Sequence, residues 1–275
     1  IARMFFILLS LLSFLKFQET GKNRMYILSL LTFTPSILSK ETSLIIPLLL
    51  IPLSMMTRKE QKVLVVIKST LKLILPFLVI ILIYTSVRLA GFQSIFNEGS
   101  YNTTFAFSGI IQNLKWYLIW SFGLPEVLSN YPSLKPASLI QFSKDLPYGS
   151  LLILFFTFLV LISGILIYRL KNLTKRTFFA STAIFFISLG PVLVLSGHRY
   201  PQYLDLAFIG LLPLLSWIYL KQEGFQKGLG VLGIVLFISL QFLSISSNEQ
   251  THWTTHRAKV ASYYHDNIKR VHPTL

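Results

Sequence analysis

Leu146–Tyr168 reads LPYGSLLILFFTFLVLISGILIY, a stretch with no Asp, Glu, Lys or Arg. It exceeds the roughly 18 apolar residues that mark a helix able to cross a bilayer. Outward from it, charge-free apolar runs recur at 4–15, 25–39, 42–57, 73–87, 177–198, 206–220 and 228–248. The fold expected is all-α, a polytopic transmembrane helix bundle of about eight spans. The runs at 177 and 228 are also long, whereas the first four and 206–220 are short. Short runs cross if flanking Lys and Arg snorkel to the headgroups, or they tilt into a protein-lined cavity.

The composition agrees. The 275 residues are 53% hydrophobic and 13% charged, with mean hydropathy +0.64, against a charged fraction of about 25% in soluble domains. A disordered tail and a basic soluble nucleic-acid binder are thereby excluded. The net charge of +15 sits in short blocks between apolar runs, where the positive-inside rule and anionic headgroups account for it without nucleic acid. Membrane lipid is the expected surrounding. With no Cys, disulfides, thiolate nucleophiles and Cys-based metal sites are ruled out.

Basic residues in alternate loops set the orientation. Lys16, Lys22, Arg24, Arg58, Lys59, Lys62, Lys68, Lys72, Arg169, Lys171, Lys175, Arg176, Lys221 and Lys227 put 14 charges in short loops on one side. The other side has 10, spread over much more polypeptide, so the first side is cytoplasmic. The turn at Lys40, the loop 88–145, the turn 199–205 and the C-terminal tail then face the exterior. This gives a membrane domain over 1–247 and a tail at 248–275, which is either an exterior tail or the start of a further helical region. In the long loop, Gly109–Gly123 (GIIQNLKWYLIWSFG) reads as an interfacial helix with aromatic anchors, or equally as a helix packed on the bundle. Ile1 opens on an apolar run already under way, so the chain reads as the C-terminal part of a longer protein.

Two clusters could carry chemistry. Lys40 and Glu41 lie between the second and third runs with almost no loop, a costly place for charge unless paired or used. Lys40 could hold a phosphate oxygen and Glu41 could orient it; the alternative is an ion pair at the membrane surface. The second cluster is His198, Arg199, Tyr200 and Tyr203, with Asp205 at the head of the next run. Arg199 offers a planar fork for two phosphate oxygens and His198 a proton, while Tyr200 and Tyr203 also suit an aromatic belt and Asp205 also suits pairing with Arg199. His252 and His256 have helical i, i+4 spacing, but no HExxH or Cys accompanies them, so a solvated helix is favoured and neither metal nor cofactor is expected.

At these clusters the chain resembles a family. ILSKETSLIIPLLLIPL (37–53) resembles the "SKE" signature of polytopic GT-C glycosyltransferases related to protein O-mannosyltransferases, notably those carrying tetratricopeptide repeats. HRYPQYLDLAFIGLLPLL (198–215) resembles their "RY" segment, although Pro201 directly follows Tyr200. The resemblance implies a transferase with a polyprenyl-phosphate sugar as donor and a protein or glycan acceptor on the exterior face. It implies Lys40 and Arg199 at the donor phosphate, with Glu41, His198 and Tyr200 in support. The catalytic carboxylate of such enzymes lies in the first exterior loop, expected upstream of Ile1, so this chain alone is expected to be inactive. A bacterial cytoplasmic membrane is favoured over the endoplasmic reticulum. The alternatives are an O-antigen ligase or polymerase type of enzyme, whose long loop should carry Arg and His, and a transporter or flippase, which should show related halves.

Overall fold

The computed structural model describes residues 2–58, 61–91, 106–130, 136–169, 175–195, 200–220, 223–251 and 253–271. In chain order its α-helices are α1 (Ala2–Thr20), α2 (Asn23–Ser39), α3 (Ile46–Thr57), α4 (Val63–Gly91), α5 (Phe107–Ser121) and α6 (Pro136–Asp145). There follow α7 (Gly149–Arg169), α8 (Lys175–Leu193), α9 (Leu204–Leu220), α10 (Phe225–Thr251) and α11 (Trp253–Val271), with 3-10 turns at Glu41–Ile45, Glu126–Asn130 and Pro201–Tyr203. Every described element is helical. Among the described residues, five segments are long and apolar enough to cross a membrane: Val63–Ala90, Gly149–Tyr168, Lys175–Leu193, Pro201–Tyr219 and Phe225–Glu249.

The helices differ from the charge-free runs mainly at their edges. The fourth run, 73–87, lies inside the 29-residue α4, whose early turns carry Lys68 and Lys72. At 1.5 Å per residue α4 is about 43 Å long, more than the ~30 Å of a hydrocarbon core. Charge marks where a helix leaves the core; it does not break the helix. The third run divides into the turn Glu41–Ile45 and α3, where Pro47 sits in the first turn, a place that lacks a hydrogen-bond partner anyway.

The chain forms two compact units, Ile1–Leu114 with Lys171–Trp217, and Lys115–Leu170 with Ile218–Leu275. In the first, α1 and α2 pair as a hairpin, α3 packs on α1, α4 and α8, and α2 also touches α4. Within the hairpin the Ser10 hydroxyl donates to the Ser29 carbonyl at 2.8 Å and the Ser29 hydroxyl returns the bond to the Ser10 carbonyl at 2.8 Å. Small residues that hydrogen-bond across an interface bring helix backbones close where lipid supplies no hydrophobic drive. The core is centred on Phe14, Phe33 and Phe77, all fully buried, with Phe77 against the other two at centroid distances of 6.5 and 5.1 Å. Beside Phe77, Pro76 interrupts the α4 ladder, and Tyr26 donates to the nearby Leu73 carbonyl at 2.7 Å. Where α8 and α9 meet, a Cβ on Gly210 would stand 2.5 Å from the Ser181 carbonyl oxygen.

In the second unit α7 packs on α10 and on α6, and α11 adjoins α10. The hydroxyls of Ser163 and Tyr219 meet at 2.6 Å. Gly230 leaves the room Tyr219 needs, since a Cβ there would lie 2.1 Å from its carbonyl oxygen. The expected interfacial helix is α5, and its anchors are in protein: Trp116, Tyr117 and Trp120 are buried, with Trp120 stacked on Trp116 at 6.4 Å and edge-on to Tyr117 at 5.5 Å. Rings used as headgroup anchors would keep one edge in water, so the packed reading describes α5. In the tail, α11 is exposed over Arg257–Asp266.

Candidate functional site

The site belongs to the first unit. Its helices run alternately between two polar ends, and the polar residues at each end find one another. At one end Thr57 donates to Gln18 at 2.8 Å, Arg58 to Ser69 at 3.2 Å, and Arg176 to the Gln61 carbonyl at 2.6 Å. At the other end lie the start of α1, the Lys40–Glu41 turn, the end of α4 and the start of α9.

Lys40 closes α2 with extended backbone, and its N–H donates to the Ser36 carbonyl at 3.3 Å. The Ser43 hydroxyl donates to the same carbonyl at 2.8 Å, and the Ser43 N–H to the Lys40 carbonyl at 3.1 Å. The SKE segment is thus a tight corner that fixes where its two charges leave the backbone. The Lys40 ammonium sits 4.6 Å above the ring of Tyr203, a cation–π contact worth more when partly desolvated.

Two arginines brace this corner from other helices. Arg3 of α1 donates to the Thr42 hydroxyl at 2.6 Å and forms an ion pair with Asp205 of α9. Arg88 of α4 forms an ion pair with Glu41 and donates to the hydroxyl of Tyr84 one turn earlier. Three cations therefore face two carboxylates, and among the described residues Lys40 makes no ion pair. Burial, and then the charge of Arg3, lower the pKa of Lys40, with Glu41 opposing. For Glu41 burial acts upward, but a hydrogen bond from its own backbone and the hydrogen bond and charge of Arg88 hold it below the usual carboxylate range.

Of the residues singled out from sequence, Lys40 and Glu41 lie at this corner. Tyr200 precedes the turn Pro201–Tyr203, and it is Tyr203 whose ring lies under Lys40. His198 and Arg199 fall outside the described residues. Asp205, expected to pair with Arg199, has Arg3 as its described ion-pair partner. Arg3, Thr42, Tyr84 and Arg88 were not anticipated; the available signal was Tyr84 and Arg88 at i, i+4, with Arg88 the one charge between Leu73 and Gly91.

No three His, Cys, Asp or Glu side chains converge among the described residues. In the second unit a cavity of about 240 Å³ is lined by Leu124, Leu128, Phe142, Ile153, Phe156 and Thr157, so it offers apolar contact and little else. The larger hollow of about 390 Å³ opens beside Lys16 and Glu19, at the end of the first unit away from Lys40. No protein-family model, curated protein or solved structure matches the chain.

Proposed function

We propose that the protein is an integral-membrane glycosyltransferase of eight spans that moves a sugar from a polyprenyl-phosphate donor to a protein or glycan acceptor on the exterior face. The observation that carries this reading is Lys40: a cation at the end of an apolar bundle, held on an aromatic ring beside two ion-paired arginines and, among the described residues, in no ion pair of its own. When the sugar departs, negative charge grows on the lipid phosphate, and a preorganised cation stabilises that charge as it develops. Lys40 and Arg199 hold the phosphate, with His198, Tyr200 and Glu41 in support.

The test uses membranes carrying the native protein and labelled polyprenyl-phosphate sugars. Lys40→Ala and Arg199→Ala should each reduce transfer about a hundredfold or more, as loss of a charge-stabilising group does elsewhere. Unchanged transfer at normal expression sinks the assignment.

A further inference from the structure

The two arginines at the corner are not equivalent. The side chain of Arg3 is 13% exposed and is engaged by Asp205 and Thr42, so it ties α1, the corner and α9 together. Arg88 is 31% exposed and its partner Glu41 50%. Its ion pair with Glu41 and its hydrogen bond to Tyr84 both fall on Nη1, and its guanidinium carbon lies 5.8 Å from the Tyr84 ring centre. The edge formed by Nε and Nη2 makes no hydrogen bond or ion pair among the described residues, and that edge has the spacing that matches two phosphate oxygens.

Resting on the donor reading above, we propose that Arg88 is a further phosphate-binding residue of the donor site, with Glu41 and Tyr84 holding one side of its guanidinium so that the other side is presented to the lipid phosphate. An arginine at the end of an apolar helix has several rotatable bonds to immobilise before it can bind. Glu41 and Tyr84 do this in advance, and Glu41 follows Lys40 directly in the chain, so ammonium and guanidinium are delivered to one corner. The role of Glu41 is then to position Arg88.

The experiment titrates polyprenyl phosphate carrying no sugar against the native protein in nanodiscs, reading binding directly and inhibition of transfer in parallel. Arg88→Gln should weaken binding roughly ten- to hundredfold, the worth of a charge-assisted hydrogen-bonded pair. Arg88→Lys, which keeps the charge and loses the fork, should fall in between, and Glu41→Gln should weaken binding less than Arg88→Gln. Helicity and thermal midpoint certify each variant as folded, with Arg88→Lys deciding if Arg88→Gln is not. If folded Arg88 variants bind as wild type while Lys40→Ala does not, the Arg88 assignment is wrong and the donor reading stands. If neither position affects binding, the donor reading falls and takes Arg88 with it. Equal weakening toward phosphatidylglycerol would assign the fork to bulk headgroups and overturn the proposal.

Discussion

Lys40 is the residue on which the functional reading turns, and its surroundings make it testable by pH. Because burial and the Arg3 charge lower its pKa, Lys40 loses its proton at a lower pH than a free lysine. Affinity for an anionic donor should therefore fall on the alkaline side earlier than an ordinary lysine would dictate. Lys40→Arg should move that fall to higher pH, as read from the pH dependence of KM for the donor; an identical alkaline limb would remove Lys40 from the phosphate. Lys40 and Glu41 were legible in the sequence because two charges between apolar runs are costly unless paired or used. Their partners were not legible. Arg3 lies 37 residues before Lys40 and Arg88 47 residues after Glu41, and only the packing of α1, α4 and α9 brings them to the corner. Asp205 shows the same limit: its ion pair with Arg3 joins the start of α9 to the start of α1, a contact that only helix packing creates, while the pairing with Arg199 suggested by sequence lies outside the described residues.

At the scale of elements, the reciprocal serine bonds of α1 and α2 make a sharp prediction. Ser10→Leu or Ser29→Leu removes one hydroxyl and inserts a larger group into a closely packed interface. Overpacking of this kind costs about 1–3 kcal/mol, and interhelical hydrogen bonds in membranes add roughly 0.6 kcal/mol each. The thermal midpoint in detergent should fall for both, whereas Ser10→Ala should cost only the hydrogen-bond share. A leucine variant as stable as wild type would show that the hairpin does not depend on close approach. Helix existence was readable from apolar runs, as α7 and α10 illustrate. Helix edges were not, because Lys68 and Lys72 continue α4 past the run that located it. For α5, composition fitted both an interface and a packed surface, and only the burial of Trp116, Tyr117 and Trp120 separates the two.

For the whole molecule, the alternation of helices in the first unit can be tested directly because the chain has no native Cys. A single cysteine at Gln61 and one at Thr42 sit at opposite ends of that unit. With the proposed topology, a membrane-impermeant thiol reagent should label Thr42→Cys in intact cells and label Gln61→Cys only after the membrane is opened. Labelling of both from one side would refute the topology. The apolar class followed from composition, since 13% charge cannot cover a water-facing surface of this size, and the helical class from the length of the charge-free runs. The division into two units did not follow, because each unit takes its helices from separate stretches of chain.

The α1–α2 hairpin also bears on how the protein is made. Neither helix is among the five that are long and apolar enough to cross alone, yet a two-residue connection and the reciprocal bonds of Ser10 and Ser29 join them. In the proposed topology they leave the translocon as one preassembled pair, each hiding the other's polar groups from the acyl chains. The serine pair then governs biogenesis as well as final stability, and its loss should appear first as nascent protein removed by membrane quality control.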